Sequence, residues 1–409
     1  MSRILSGNMY LELKSDRRSE AGRKGCASSR DCTLRCLASA EKLPLICIRG
    51  TRGIGKTYQL MQMGDLLSNR KGERTIYVNL NHFYFSSHTI YHFAKSFYQQ
   101  GGRILLLDQV FKYPGWTKEL MQCRRDFPEL IIVFTASSVM TLEEEYPELR
   151  DELKICDLHG FSFREYLNRQ YDLSLSAMPI DQIFADHQSI DRKIKRQVDP
   201  WEALSGYMSK GYYPHQEAMA LFGENLAKNM NMLLEVDLVY IRQIAPTYLP
   251  KLRKLLYLVS GQRDGVTNVS SLSDAIDTSR ATVMNYLKYL SDARLIRLIY
   301  KEGGEYPKKP DRVFLNDTNI LRVIREEEPQ PLLEAKTLFL ASTLDAGLEV
   351  HLSDETGVDF VINEELPVRF VCKGVRRRST PSRALSILCS EEVKGDPMGV
   401  PIWMFGLLY

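Results

Sequence analysis

Residues 50–57 read Gly50-Thr51-Arg52-Gly53-Ile54-Gly55-Lys56-Thr57, between an apolar run, LICI at 45–48, and an amphipathic stretch, YQLMQMGDLL at 58–67. Gly50, Gly55, Lys56 and Thr57 fit the pattern G-x-x-x-x-G-K-[ST] in the strand-then-helix setting that gives the pattern its meaning. Glycines let backbone amides turn inward around an anion, and the N-terminus of the following helix favours phosphate. Lys56 then reaches the outer phosphates while Thr57 ligates magnesium. The octet therefore predicts a nucleotide site that takes ATP and Mg2+, with Gly50, Gly53, Gly55, Lys56, Thr57 and Tyr58 as binding residues.

Two later runs belong to the same site. GGRILLLDQ at 101–109 reads as a buried strand ending in Asp108, which would hold the magnesium shell together with Thr57. Gln109 stands where many ATPases carry a second acid. A carboxylate there acts as general base, and losing one costs about a hundred- to ten-thousand-fold in rate. An amide can still orient water by hydrogen bonding. Retained ATP·Mg binding with slow hydrolysis is the expectation. LIIVFTASS at 130–138 ends in Thr135, Ser137 and Ser138, where a hydroxyl either senses the terminal phosphate or simply caps the strand. The catalytic set read from the sequence is Lys56, Asp108, Gln109 and Ser137.

Working outward, LPLICIRG, RTIYVNLN, RILLLDQ and LIIVFTAS alternate with helical stretches. Near-continuous apolar strands separated by helices imply an α/β fold with a parallel sheet covered on both faces. At 409 residues the chain is too long for one core and is expected to divide into two or three domains. The net charge of +3 leaves any nucleic-acid surface to local clustering. Apolar runs such as LIIVFTA fall well short of the roughly 18 residues of a membrane span, so no membrane helix is expected. The first twenty residues lack the features of a secretory signal, and a cytoplasmic location is expected. Of eight cysteines, Cys47, Cys156 and Cys389 lie in apolar runs and read as reduced core thiols. Cys26, Cys32 and Cys36 have no fourth ligand at finger spacing, which argues against zinc.

The order of landmarks GTRGIGKT, TIYVNLNHFYFS, GGRILLLDQVFKYPGW, LIIVFTASS and GFSFREYL, then KGYYP, LEVDLVYI, KLRKLLYLVS and PIWMFGLLY, resembles the bacterial and archaeal AAA-type P-loop ATPases that carry a C-terminal domain of unknown function. The resemblance runs from about residue 40 to the end. It departs at Gln109, where those proteins usually have Glu, and at Ala136, where they have Gly. Asp151 and Glu152 replace a pair of arginines, so Arg150 or Arg164 would have to substitute.

Residues 251–300 hold KLRKLLYLVSGQ, NVSSLSDAID and SRATVMNYLKYL, three short helices, followed by LIRLIYKEGG as the start of a wing. Ser271 or Ser273 and Ser279 stand at N-cap positions. The third helix would present Ser279, Arg280, Thr282, Asn285 and Lys288 outward, suited to phosphate or base edges. Residues 251–325 carry 14 Lys or Arg against 8 Asp or Glu. Double-stranded DNA is one expected partner and a protein is the other, since winged helices also dock proteins.

For the C-terminal region the resemblance implies a restriction-nuclease-type fold, whose chemistry needs carboxylates around magnesium and a lysine. Glu334 and Asp359 are candidates, but Val371 stands where the carboxylate before Lys373 belongs. Nuclease activity is not expected. Lys373, Arg376, Arg377 and Arg378 read as a phosphate grip or a solvated loop. The organisation read from the sequence is a basic arm (1–40), a P-loop domain (41–160), a helical subdomain (161–250), a winged helix (251–310) and a degenerate nuclease-like mixed α/β domain (311–409).

Overall fold

In a computed structural model, which describes residues 45–71, 73–214, 221–325, 327, 329–372, 384–392 and 399–409, the chain divides between His159 and Gly160 into two units. The arm at 1–40, the cysteines at 26, 32 and 36, and the basic run at 373–378 lie outside the described residues. Among the described residues no helix is long and apolar enough to cross a membrane.

The first unit is built on β1 (Leu45–Gly50), β2 (Arg74–Asn79), β3 (Gly102–Asp108), β4 (Ile131–Ser137) and β5 (Leu153–Asp157). They run parallel in the order β2-β3-β4-β1-β5. Every residue of β4 is buried, as a strand covered on both faces requires. The helices are α1 (Lys56–Lys71), α2 (Ile90–Gln99), α3 (Trp116–Asp126) and the single turn α4 (Leu142–Glu145). α2 shows how the sequence specifies them. Thr89 caps it by accepting from the His92 amide, and Ile90, Phe93, Ala94 and Phe97 recur at one-face spacing and are buried. Each large apolar side chain so buried contributes about 1.5–3 kcal/mol. This sheet order sets the carboxyl ends of β1, β4 and β3 side by side, where ligands of open parallel sheets bind.

The second unit opens with α5 (Phe163–Tyr171), held by a reciprocal cap between Ser162 and Glu165. α6 (Ile180–Lys195), α7 (Pro200–Lys210) and α8 (Phe222–Met232) follow, and α8 continues through a π turn at Leu233–Leu238 into α9 (Val239–Arg242). Then come α10 (Leu249–Ser260), α11 (Val269–Ala275) and α12 (Arg280–Asp292), and an antiparallel pair, β6 (Ile296–Ile299) with β7 (Arg312–Leu315). Ser279 caps α12, and Val283, Tyr286, Leu287 and Leu290 form its buried stripe. The cap of α11 differs from the sequence reading. Asn268, not Ser271 or Ser273, accepts from the Ser270 and Ser271 amides, and Ser273 is buried with its hydroxyl on the Ser270 carbonyl.

After α13 (Thr318–Ile324) and α14 (Pro331–Asp345), a separate mixed sheet forms from β8 (Val350–Leu352), β9 (Phe360–Ile362), β10 (Leu366–Val371), β11 (Leu385–Leu388) and β12 (Val400–Pro401). Its order is β12-β11-β10-β9-β8, parallel from β10 to β12 and antiparallel from β8 to β10. β10 and β11 bring Cys372 and Cys389 to a Cα separation of 5.1 Å, and the two form a disulfide. The reading of Cys389 as a reduced thiol is thereby corrected, because parallel neighbours place at bonding distance two cysteines that stand apart in sequence. Cys156 is disulfide-bonded as well, whereas Cys47 and Cys123 are free and buried. Burial pushes the Cys123 thiol up to about 12.

Polar side chains hold the second unit's interior together. Asp345 accepts from Tyr212 OH and from Arg297 Nη2, each at 2.9 Å. Asp317 caps α13 through the Ile320 amide at 2.9 Å and accepts from Tyr213 OH at 3.2 Å. The segment 401–409 packs back on α5: Arg164 Nε donates to the Tyr409 carbonyl at 2.9 Å, and a Cβ on Gly406 would meet Phe163 Cβ at 2.4 Å.

Candidate functional site

β1 ends at Gly50 and α1 begins at Lys56, so the glycine-rich turn sits between a buried strand and a helix N-terminus. Gly53 and Gly55 take φ values of 79° and 95°, where glycine is at ease and other residues are strained. Gly50 is required for space: a Cβ there would lie 2.7 Å from the Leu158 carbonyl oxygen and 3.1 Å from Ile54 Cγ2. Arg49, just before it, ties β1 to β5 through two 2.8 Å bonds to Asp157 and reaches Glu143 of α4 at 2.7 Å. Burial alone would lower the Arg49 pKa; Asp157 and Glu143 outweigh it and the net shift is upward.

Lys56 Nζ donates to the Thr51 carbonyl at 2.8 Å, so its ammonium lies against the loop. Thr57 Oγ1 donates to Asp108 Oδ2 at 2.8 Å, which joins the start of α1 to the end of β3. Asp108 is buried. Its other oxygen, Oδ1, accepts from Thr135 Oγ1 of β4 at 2.5 Å, and that hydroxyl in turn accepts from the Gln109 amide at 2.9 Å. Tyr77 OH of β2 adds a third donor, 2.9 Å from Asp108 Oδ2. Gln109 is half-buried and left-handed, with φ 60° and ψ 44°. Tyr58, on α1, is half-buried.

Lys56, Thr57, Asp108, Gln109 and the loop glycines are thus brought together at the carboxyl edge of the sheet. Of the three hydroxyls at the end of β4, Thr135 carries the contact with Asp108. Ser137, the one assigned a catalytic part from sequence, is buried in register with Gly50, and its carbonyl accepts from Met140 N. Ser138 donates its amide to the Gly50 carbonyl at 3.1 Å, while its hydroxyl is buried with no hydrogen-bond partner. The sequence reading did not single out Tyr77. The available signal was that a tyrosine inside a buried strand needs a partner for its hydroxyl.

These residues fit Mg·ATP. The loop leaves no room for a side chain at Gly50, a buried hydroxyl lacks a partner beside it, and Thr57 donates its proton to Asp108, which leaves its lone pairs to a cation. Gly50, Gly53, Gly55, Lys56 and Thr57 would hold the phosphates, with Thr57 and Asp108 toward the metal. Magnesium bound there supplies charge neutralisation on the phosphates.

The arginines expected to substitute for the missing pair do not share a role. Arg150 is exposed and donates to the Glu143 carbonyl at 3.3 Å. Arg164 is buried in the second unit, with Nη1 on the Leu175 carbonyl at 3.1 Å in addition to its bond to Tyr409, so its guanidinium serves that core.

In the second unit the outward face of α12 holds Ser279, Arg280 and Asn285 exposed and Thr282 and Lys288 half-buried. Lys288 Nζ pairs with Asp292 at 2.7 Å, Asp292 also pairs with Arg242, and Tyr306 OH donates to Asn285 at 3.0 Å. Of the basic residues in 251–325, Arg253, Lys288, Arg297, Lys301 and Arg322 are paired with acids. The acids singled out further on are also engaged. Glu334 pairs with Arg322 at 2.5 Å, and Asp359 accepts from the Phe370 amide at 2.8 Å and pairs with the buried Lys336 at 2.6 Å. Val371 ends β10. Among the described residues the carboxylate and histidine side chains close enough to share an ion are Glu349, His351 and Glu364, and that group includes neither Glu334 nor Asp359.

Comparison with known proteins bears on both units. Residues 42–167 match the model of an AAA domain, and residues 202–330 match a domain of unknown function, DUF8612. A Methanocaldococcus jannaschii protein, Uncharacterized protein MJ1637, is 22% identical over 278 residues, 64% of this chain; the match spans 58% of that relative, less than two thirds of its length. Among solved structures, the Walker-type ATPase paby2304 of Pyrococcus abyssi is similar over 75% of this chain and 97% of its own, at 12% identity and a TM-score of 0.41. AMPPCP-bound DnaA from Aquifex aeolicus is similar over 64% of this chain and 88% of its own, at 18% identity and a TM-score of 0.28. With its phosphate loop, its parallel sheet and the match over 42–167, the first unit carries an AAA-type P-loop ATPase domain.

Proposed function

We propose that this protein binds Mg·ATP at the loop Gly50–Thr57, hydrolyses it slowly, and uses the nucleotide state to set its affinity for double-stranded DNA. The observation that carries the nucleotide half is the chain of hydroxyls on Asp108: Thr57 at 2.8 Å from one side and Thr135 at 2.5 Å from the other. It orders the carboxylate and, with the Thr57 proton engaged on Asp108, leaves the Thr57 lone pairs to a cation. Lys56 reaches the outer phosphates, and Gln109, whose backbone N–H donates to Thr135, orients water through its side chain without taking its proton. Slow turnover follows from that missing base.

The DNA half rests on α10, α11 and α12 with the β6/β7 pair, the element order of a winged helix, and on the exposed Ser279, Arg280 and Asn285 at the start of the third helix. Exposed polar and basic groups near a helix N-terminus suit phosphate contacts. The mixed sheet after α14 is read as a degenerate nuclease-like scaffold. The salt bridges of Glu334 and Asp359 and the presence of Val371 support a non-catalytic part for it.

A second reading, a nucleotide-gated protein-docking module without nucleic acid, is favoured by one observation. Lys288 and Asn285, two of the five outward groups of α12, are already paired with Asp292 and Tyr306. Binding of a labelled DNA duplex across a salt series, with and without Mg·ATP, decides between the two. The DNA reading expects affinity that falls steeply with salt and changes with nucleotide. Affinity insensitive to both overturns it in favour of protein docking.

A further inference from the structure

Asp108 takes hydrogen bonds from hydroxyls on three elements, and the phosphate-loop reading uses two of them. The third donor is Tyr77, 5% exposed on β2, the edge strand of the first sheet. In the β2/β3 register Tyr77 lies opposite Leu106, two residues before Asp108, and its long side chain carries the hydroxyl to Oδ2 at 2.9 Å. Thr57 donates to that same oxygen at 2.8 Å, and Thr135 donates to Oδ1 at 2.5 Å.

An ionised carboxylate offers about four acceptor sites, two on each oxygen. Thr57 and Tyr77 fill both sites on Oδ2. Thr135 fills one on Oδ1, so a single acceptor site is left, and it lies on Oδ1.

We infer that Tyr77 is a positioning residue for the metal: by filling Oδ2 it confines the last acceptor site of Asp108 to Oδ1 and fixes the carboxylate's rotation there. The inference rests on the Mg·ATP reading of this site. Tyr77 acts through Asp108, to which its hydroxyl donates. Without its hydroxyl a second site opens on Oδ2, the carboxylate can turn, and the Thr57 hydroxyl loses its fixed acceptor. Partners that orient a metal's ligands typically change metal affinity by about 10–100-fold when removed.

The test uses the purified full chain and a fluorescent ATP analogue, titrated with MgCl2 and, separately, bound in EDTA. Tyr77→Phe deletes one oxygen and keeps the ring. The expected result is a half-saturating Mg2+ concentration raised about 10-fold or more, with affinity for the metal-free analogue within about twofold of wild type. A merely structural tyrosine would weaken both together or neither. Equal Mg2+ requirements in wild type and Tyr77→Phe overturn the inference. A wild type that binds the analogue neither with nor without Mg2+ overturns the Mg·ATP reading, and this inference with it. Should Tyr77→Phe fail to fold by circular dichroism, 3-fluorotyrosine at position 77, whose more acidic hydroxyl alters the bond to Asp108 and keeps the ring, should change the Mg2+ requirement while leaving affinity for the metal-free analogue unmoved, and an unchanged requirement overturns the inference.

Discussion

Gln109 bears the most on chemistry, and its backbone is as informative as its side chain. Left-handed φ and ψ are disfavoured for residues other than glycine by about 1–2 kcal/mol, and such strain clusters at functional sites. Here the amide is held by Thr135, so a carboxylate at 109 would inherit the same anchoring. Gln109→Glu is therefore expected to raise ATP turnover by about 100-fold or more, measured as phosphate release, with Lys56→Ala abolishing the gain. An unchanged rate would show that the general base is not what limits turnover. Gly50 makes a complementary case. The sequence marks it as a pattern glycine, whereas the reason it admits no side chain is the Leu158 carbonyl, a residue 108 positions later. Backbone cannot yield as a side chain can, so Gly50→Ala should destabilise the first unit by about 1–3 kcal/mol and weaken analogue binding. Equal melting temperature and affinity would count against this account.

Among the elements, those with a strong local rhythm were legible. The β1, β3 and β4 runs are apolar almost throughout, and α12 repeats apolar residues at 283, 286, 287 and 290, which one helix face demands. What stayed illegible depends on partners far along the chain. The serine-rich stretch before α11 offered several caps, and only the fold shows Asn268 in that position. The disulfide between Cys372 and Cys389 needs the β10/β11 pairing, which no spacing announces. The landmarks GFSFREYL, KGYYP and PIWMFGLLY stand far apart in sequence yet meet in one interior: the Phe161 amide donates to the Tyr212 carbonyl, Tyr212 and Tyr409 both donate to Asp345, and Arg164 holds Tyr409. They mark packing more than chemistry. Within that interior Arg297 of β6 pairs with Asp345 of α14, side chains 10% and 1% exposed. Removing one partner of a buried pair leaves an uncompensated charge at a cost of about 3–5 kcal/mol. Arg297→Met is expected to lose about that much in urea unfolding followed by circular dichroism, and a loss under about 1 kcal/mol would show the pair to be dispensable.

At the scale of the whole chain, the two units offer separate handles. Burial raises the Asp317 pKa to about 6, partly opposed by the Ile320 amide, Asn316, Arg297 and Tyr213. A carboxyl whose folded pKa lies above its unfolded value of 3.8 favours the protonated folded state, so its contribution is full below pH 3.8 and is lost as pH rises through about 6. The second unit should therefore lose about 3 kcal/mol across that window, and Asp317→Asn should flatten the slope in urea unfolding between pH 4 and 7. The proposed switch makes a further demand, set by linkage. If Mg·ATP changes DNA affinity by some factor, DNA must change affinity for Mg·ATP by the same factor, typically about 5–150-fold. A saturating duplex at low salt is thus expected to shift the dissociation constant of the fluorescent analogue at least about fivefold, and added salt should erase the shift as the duplex is released. Arg280→Ala, changing an exposed residue of α12, should shrink the shift without touching analogue affinity in the absence of DNA. Salt-sensitive DNA binding that leaves the analogue's dissociation constant unmoved would describe two independent binding activities on one chain, and the nucleotide-dependent switch would then have to be given up.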